Sequence, residues 1–251
     1  MIDLLDSYGL LGPDILIAHA TESSPGDATK MVESGAHVSS TPETELQTAL
    51  GMPVCFRPDL ENISSLGIDC HSTNSASIFM QMRLAVQNAR GARNQRLLEA
   101  GNFPNTITPS VEEAFNLGTI KGARALRLEK DIGSLEVGKA ADIVIFDTMT
   151  PGMLCAAQQD PVSAIVLHAS TKDIDMVIID GHIRKAGGVL LPVLNDHDKR
   201  NSDSKILLWS DVAKEILRSR ADIEERIGRM DLSQTREQVI DAFQIDRKNL
   251  V

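Results

Sequence analysis

The sequence predicts a mixed α/β protein, and three observations lead to that prediction. Short apolar runs of strand length end in polar residues within positions 1–128. Amphipathic patterns with helix-capping residues separate these runs. After about position 130 the pattern changes to strands joined by a hairpin turn. With 251 residues, of which 42% are hydrophobic, the chain is long enough to bury a substantial core.

The first part of the chain contains three predicted strands, and two of them end on groups that can do chemistry. The runs cover positions 15–18, 36–40 and 65–69, so that His19 follows the first and Asp69 ends the third. Uninterrupted apolar runs are typical of parallel strands buried on both faces. Because ligands bind at the carboxyl ends of such strands, His19 and Asp69 are candidate site residues. The residues alone favour structural roles instead. His19 would be a hydrogen-bonded histidine at the edge of the core, and Asp69 would cap a turn or a helix.

Helices are predicted between and after these strands. One covers positions 27–34, one runs from Asn74 or Ser75 to about position 90, and one opens at Thr108-Pro109 with Ser110 and Glu113 as a capping box. The last carries small residues on one stripe, which we interpret as close packing: Ala114, Gly118, Gly122 and Ala125. Positions 41–44 and 51–53 are predicted loops.

The second part of the chain is predicted to be a small β module followed by helices. Strands are expected at positions 141–147, 164–167 and 176–179, the last leading through Asp180-Gly181 into a hairpin. The polar positions 195–205 are predicted to be a linker. A helix capped by Ser210 is expected to bury one side, and a short helix at 238–243 ends the pattern. The expected buried residues of the capped helix are Val212, Ile216, Ile223 and Ile227.

Composition excludes several functional classes. The chain has 25 Lys and Arg against 35 Asp and Glu, a net charge of −10, which disfavours nucleic-acid binding. Its three cysteines show no metal-binding spacing, and no apolar run reaches membrane-spanning length. These features predict a cytoplasmic protein with neither nucleic acid nor membrane as a partner.

Several motifs resemble the metal-dependent amidohydrolases, in the branch of triazine hydrolases, cytosine and guanine deaminases and S-adenosylhomocysteine deaminases. The segment 10–19 resembles the sixth-strand region of that family, 39–45 a seventh-strand motif, and 67–72 the eighth-strand aspartate motif. The most specific match is 132–142, where the family's chain leaves its barrel. The resemblance implies the carboxyl-terminal strands of a partial TIM-like (β/α) barrel over 1–128, a composite β-sandwich module over 129–190, and a linker with C-terminal helices over 191–251.

The resemblance also implies roles for single residues. Asp69 corresponds to the aspartate that binds the metal and handles the proton of the attacking water, and His19 to the histidine that contacts this water or the substrate. The metal would be a divalent cation, zinc or in some members iron. The reaction that the resemblance implies breaks a non-peptide C–N bond of a small-molecule substrate, cyclic or amidine-like. His71 is interpreted as a loop residue, with substrate contact as the alternative. Glu43 and Glu45 are expected to hold the loop or face solvent, and Cys70 to be a small packing residue.

The histidines of the chain do not include the family's first metal motif. They lie at positions 19, 37, 71, 168, 182 and 197, and none forms a His-x-His pair. We therefore expect the carboxyl-terminal portion of an amidohydrolase, from truncation, a gene-model error or genuine reduction, with impaired activity because a catalytic zinc needs about three protein ligands.

Two other interpretations stay open. The chain can be a non-catalytic fragment or pseudoenzyme that associates with a partner or a second copy of itself through an uncovered sheet edge. It can also be a different metal hydrolase with ligands such as His37 or His71.

Overall fold

The computed structural model describes residues 1–195 and 205–250, which divide into two compact units, Met1–Val189 and Leu190–Val251. In the first unit the helices are α1 (Ile2–Ser7), α2 (Pro25–Ser34), α3 (Pro42–Gln47), α4 (Ile78–Glu99), α5 (Val111–Leu117), α6 (Ile120–Ala125), α7 (Ala156–Gln159) and α8 (Pro161–Leu167). Its strands are β1 (Leu16–Ala18), β2 (His37–Ser40), β3 (Ser64–Leu66), β4 (Ile143–Phe146), β5 (Ile174–Ile179) and β6 (His182–Ala186), with β7 (Val189–Leu190) at the unit boundary.

The second unit contains two strands and two helices. These are β8 (Val193–Asn195), β9 (Lys205–Leu207), α9 (Trp209–Ile227) and α10 (Leu232–Ala242), followed by a short 3-10 turn, Arg247–Asn249. The antiparallel pair of β8 and β9 has Leu194 opposite Ile206. The linker predicted at 195–205 lies for the most part outside the described residues.

The predicted parallel strands form a three-stranded sheet in the order β1-β2-β3. Both pairings are parallel, with Ile17 opposite Val38 and Ser39 opposite Ser65. Their carboxyl ends therefore meet at one edge of the sheet, as the sequence predicts. A second sheet, in the order β4-β5-β6-β7, is antiparallel between β4, β5 and β6, with the predicted hairpin between β5 and β6.

Helices cover one face of the parallel sheet. Ile17 and Val38 pack with Ala28 and Met31 of α2 in one core cluster. Leu66 packs in another cluster, with residues of α4, α5 and α8 such as Met82, Leu117 and Val166. Because side chains alternate along a strand, Leu16 and Ala18 point to the opposite face, and there Leu16 is 42% exposed.

Two segments have a different secondary structure from the predicted one. The apolar run at 164–167, predicted as a strand, lies in α8, because Pro161 occupies the first helical turn and the Asp160 side chain accepts hydrogen bonds from the Val162 and Ser163 N–H groups. A short apolar run does not by itself separate a strand from a buried helix. The predicted loop after Ser40 contains α3, which begins with Pro42.

The boundaries of three helices also differ from the sequence prediction. The helix predicted from Asn74 begins at Ile78 and extends to Glu99. The helix predicted across the small-residue stripe is split into α5 and α6, since α5 ends at Gly118. A Cβ at Gly118 would collide with the Met82 side chain, which supports the packing interpretation of this glycine.

The prediction that α9 buries one of its sides is wrong. No residue of this helix is buried, and Ile216 and Ile223 are 56% and 51% exposed. The apolar spacing correctly indicates an amphipathic helix, but spacing does not determine what covers the apolar stripe. Among the described residues, no helix combines the length and the apolar character needed to cross a bilayer.

Candidate active site

His19 lies immediately after β1, at the carboxyl edge of the parallel sheet. Its backbone N–H still donates to the Ser39 carbonyl oxygen at 2.9 Å, but its φ angle is +65° and that of Ala20 is +55°. Two successive non-glycine residues in the left-handed region are unusual, and such conformations cluster at functional sites. The turn stops the strand and places the imidazole next to the end of β2.

The imidazole of His19 is held by two side chains from the end of β2 and the start of α3. Its Nδ1 atom lies 3.0 Å from Thr41 Oγ1 and 3.5 Å from Glu45 Oε1. The Nε2 atom has no hydrogen-bond partner among the residues that the structure describes, and the side chain is 28% exposed. One ring nitrogen is therefore occupied by the protein and the other is available.

Glu45 is a buried acid in the first turn of α3. Its Oε1 accepts the Thr41 backbone N–H at 2.7 Å, and Ser40 Oγ donates to both carboxylate oxygens, at 3.1 and 2.8 Å. The expectation that Glu45 holds the loop is thus correct in part, since it anchors the start of a helix, but the side chain does not face solvent. Its contact with His19 is not visible in the sequence pattern.

Burial governs the electrostatics around Glu45. Removal from water raises the pKa of the Glu45 carboxyl group, and its hydrogen bonds from Thr41 and Ser40 oppose that rise. Burial also raises the pKa of the neighbouring Cys55 thiol to about 12, with the charge of Glu45 adding to the effect. Cys55 is therefore a neutral packing residue at physiological pH.

Asp69 lies on the same edge of the sheet but in a different environment. The third strand ends at Leu66 rather than at Asp69 as predicted, and Asp69 follows in a left-handed turn with φ +54°. Its side chain is exposed and has no hydrogen-bond partner among the described residues. Strand β2 lies between β1 and β3, and two strand spacings separate the backbones of these two outer strands by about 10 Å.

Gly67 and Asn74 shape the chain that leads to Asp69. A Cβ at Gly67 would lie 2.8 Å from Ser39 Oγ and 3.3 Å from Thr41 Cγ2, so glycine allows the ends of β2 and β3 to approach closely. The buried Asn74 side chain donates to the Ile68 carbonyl oxygen at 3.1 Å and to Thr44 Oγ1. Asn74, one of the two predicted start positions of a helix, instead ties the Asp69 loop to α3.

The other candidate residues lie apart from this edge or on its surface. His71 and Cys70 are both exposed, which corrects the expectation of a packing role for Cys70. A hydrogen bond with Ser72 lowers the pKa of the Cys70 thiol. His37 is the first residue of β2, at the opposite edge of the sheet, with Nδ1 3.3 Å from the Ile63 carbonyl oxygen. His37 and His71, the ligands named for the alternative metal hydrolase, therefore do not lie at the same edge of the sheet.

The donor set of the described residues does not fit a metal ion. Within residues 1–195 and 205–250 no group of three or more His, Cys, Asp and Glu side chains is arranged to hold one. A catalytic zinc typically has three protein ligands, and Asp69 is a single exposed carboxylate. Asp69 is thus a candidate for one ligand of a set that the described residues do not complete.

A cavity of about 420 Å³ lies beside the end of β1 and the turn that follows it. Ala18 and Ala20, which flank His19, line it together with Thr21 and Leu50, but neither His19 nor Asp69 does. The cavity is therefore not centred on the candidate catalytic groups.

Comparison with known proteins places the chain in a family. Residues 1–184 match the amidohydrolase family, and the chain belongs to it. It is 31% identical over 183 residues to a 5'-deoxyadenosine deaminase of Methanobrevibacter smithii, covering 72% of this chain and 40% of that protein. It is 29% identical over 189 residues to a 5-methylthioadenosine/S-adenosylhomocysteine deaminase of Moorella thermoacetica, covering 74% and 41%.

Solved structures agree with this assignment. The structure of an adenosine deaminase from Xanthomonas campestris with bound zinc has a TM-score of 0.67 and 25% identity, covering 87% of this chain and 45% of that one. The branch indicated by the sequence motifs is thereby confirmed. The chain spans about two fifths of the length of the curated relatives it matches, 40% and 41% for the two named above.

Proposed function

We propose that this chain is the carboxyl-terminal portion of a metal-dependent hydrolase that removes an amino group, as ammonia, from a cyclic amidine such as the purine of an adenosine-type nucleoside. The main support is the placement of His19, which lies at the carboxyl edge of a parallel sheet with one ring nitrogen held and the other available, in a chain of the amidohydrolase family. The deaminase relatives support the choice of an amino group on a purine.

The chemistry of the two candidate groups suits this reaction. The free Nε2 of His19 can accept a proton from an attacking water or a hydrogen bond from the substrate. Asp69, an exposed carboxylate on the same edge, can bind a cation or accept a proton, and the family resemblance assigns it both tasks. His71 remains a candidate for substrate contact from the exposed loop.

We further propose that the chain by itself is impaired in hydrolysis. The described donors do not complete a metal site, and the His-x-His pair of the family is not in this sequence. A divalent cation, zinc or iron, would need ligands from a polypeptide that this chain does not contain.

The test measures metal content and ammonia release from adenosine and 5'-deoxyadenosine. The 251-residue chain is assayed alone and after co-expression with a polypeptide that carries the family's His-x-His strand. We expect less than one equivalent of zinc and no turnover for the chain alone, and both in the co-expressed complex. Zinc at one equivalent with turnover by the chain alone would overturn the impairment, and an inactive but zinc-loaded complex would overturn the hydrolase proposal.

A matched pair of variants tests the assignment of Asp69. Asp180 is also an exposed aspartate with a positive φ angle, +49°, but it lies in the turn between β5 and β6. Asp69→Ala is expected to abolish turnover in the complex, whereas Asp180→Ala retains it. Equal activity of the two variants would remove Asp69 from the proposed site.

The alternative function is association without catalysis, and the uncovered part of the sheet favours it. Strand β1 is an edge strand, Leu16 on it is 42% exposed, and Ala18 is also exposed. Unpaired edges promote pairing with another chain. Sedimentation should then show an oligomer that Leu16→Lys disrupts and Val32→Lys, a similarly exposed position on α2, does not. A monomer at all concentrations would reject this alternative.

A further inference from the structure

Glu45 contacts His19, and the family resemblance assigns it no catalytic role. Its carboxylate is fully buried, 0% exposed, and Thr41 and Ser40, among the described residues, both donate hydrogen bonds to it. Thr41 N–H points at Oε1, and Ser40 Oγ donates to both oxygens. Oε1 is thus an acceptor, and it is also the atom that lies 3.5 Å from His19 Nδ1.

This geometry discriminates between the two neutral forms of the imidazole. With the proton on Nδ1, the ring donates toward Thr41 Oγ1 and Oε1, which are both able to accept. With the proton on Nε2, the Nδ1 lone pair would face the lone pairs of Oε1 at short range in a buried setting, which is repulsive. We infer that Glu45 is a positioning residue that keeps the proton of His19 on Nδ1 and leaves the Nε2 lone pair free at the sheet edge.

The inference rests on the proposed function and deepens it. A histidine that takes a proton from water needs an unprotonated nitrogen directed at that water, and the hydrogen bond at the other nitrogen determines which one is unprotonated. Thr41 contributes through its hydroxyl group, but a hydroxyl can donate or accept, so that it does not select a tautomer. The carboxylate oxygen of Glu45 supplies the selection.

The test measures the tautomer directly, by nitrogen NMR of the histidine rings in the metal-free 251-residue chain at about pH 8.5, where unperturbed histidine is neutral. His37 is an internal reference, because its Nδ1 faces a backbone carbonyl, which can only accept. The variant Glu45→Gln keeps the shape and removes the charge, and Glu45→Met removes both oxygens. Glu43→Gln is the matched control, a glutamate in the same helix that bonds Gln81 and Ser75 instead of His19.

We expect wild-type His19 to show Nδ1 as the protonated nitrogen. The ratio of the Nδ1–H to the Nε2–H form should fall by about fivefold to tenfold in Glu45→Gln, since a charged acceptor strengthens a hydrogen bond by that order. The preference should disappear in Glu45→Met, and Glu43→Gln should leave it unchanged.

Two results would overturn the inference. One is a wild-type His19 that carries its proton on Nε2. The other is an Nδ1–H form that persists at the same ratio in both Glu45 variants, which would assign the selection to Thr41. Because the measurement involves neither metal nor substrate, a failure of the proposed deamination does not affect it, and a wrong tautomer does not by itself reject the deamination.

Discussion

The two ends of the candidate site are built differently. On the β1–β2 side, His19 contacts Thr41 and Glu45, and the acid itself is buried and bonded by three donor contacts. On the β3 side, Asp69 lies in an exposed turn whose backbone is tied down but whose carboxylate has no partner among the described residues. Sites that act on a substrate hold their reacting groups with supporting hydrogen bonds. The first side is preorganised by this chain, whereas the second has only its backbone in place.

This difference suggests where the site depends on groups outside the chain. In the proposed function a metal ion and its further ligands would orient the Asp69 carboxylate, because no described residue of this chain bonds it. An imidazole that handles a proton needs a fixed tautomer, and the chain supplies that by itself. Four substitutions or conditions test the contrast, from the largest expected effect to the smallest.

Glu45→Ala is expected to destabilise the fold most. It leaves the buried Thr41 N–H and the Ser40 hydroxyl without their acceptor, at a cost of about 3 kcal/mol in the free energy of unfolding. Urea denaturation followed by circular dichroism measures the change. His71→Ala, at an exposed position that no described residue bonds, is the control and should change stability by less than about 0.5 kcal/mol. A loss below about 1 kcal/mol for Glu45→Ala would mean that the buried network carries little stability.

Gly67→Ala tests the close approach between the two sides. The new methyl group would meet Ser39 Oγ at 2.8 Å and Thr41 Cγ2 at 3.3 Å, so that the Ser39 side chain or the ends of β2 and β3 must shift. We expect a loss of about 2 kcal/mol. Gly91→Ala, where nothing lies within 4 Å of the new methyl group, should not destabilise the chain. Equal stability of the two variants would show that the sheet edge yields without strain.

Asp69→Gly is expected to stabilise the chain, because glycine accepts a positive φ angle without the cost that an L-residue meets. The gain should be about 1 kcal/mol. Asp69→Ala keeps that cost and should show no gain. If glycine destabilises the chain as alanine does, Asp69 makes contacts that stabilise its turn, and the contrast with the His19 side weakens. Thermal unfolding of both variants gives the answer.

The pH dependence of stability is the subtlest test, since Glu45→Gln removes only a charge. Burial raises the folded-state pKa of Glu45 above its ordinary value of 4.5. Its contribution to stability is therefore fully present below pH 4.5 and is lost as pH rises through the folded-state pKa. The difference in unfolding free energy between wild type and Glu45→Gln should fall with rising pH. A difference that grows over this interval would mean that the ionised form is the stabilised one.

Part of this architecture could be predicted from the sequence. The three parallel strands and the β5–β6 hairpin follow from apolar runs bounded by polar residues and from the Asp180-Gly181 turn. The helix at 161–167 could not be distinguished from a strand, because a four-residue apolar run fits both. The hydrogen bond from the Val162 N–H group to the Asp160 side chain identifies the start of a helix, and only the structure shows it. The helical spacing of apolar residues in α9 indicated an amphipathic helix, but it did not indicate that the apolar side of this helix is exposed.

The candidate site divides in the same way. The position of His19 directly after a strand, the place of Asp69 shortly beyond another strand, and the family to which the chain belongs could be predicted from the sequence itself, because polar residues after apolar runs and spaced motifs are local features. The partnership of His19 with Glu45 was decided only by the tertiary structure. It joins residues 26 positions apart through the parallel pairing of β1 with β2 and the turn into α3, and local pattern carries no information about which buried acid meets which ring nitrogen.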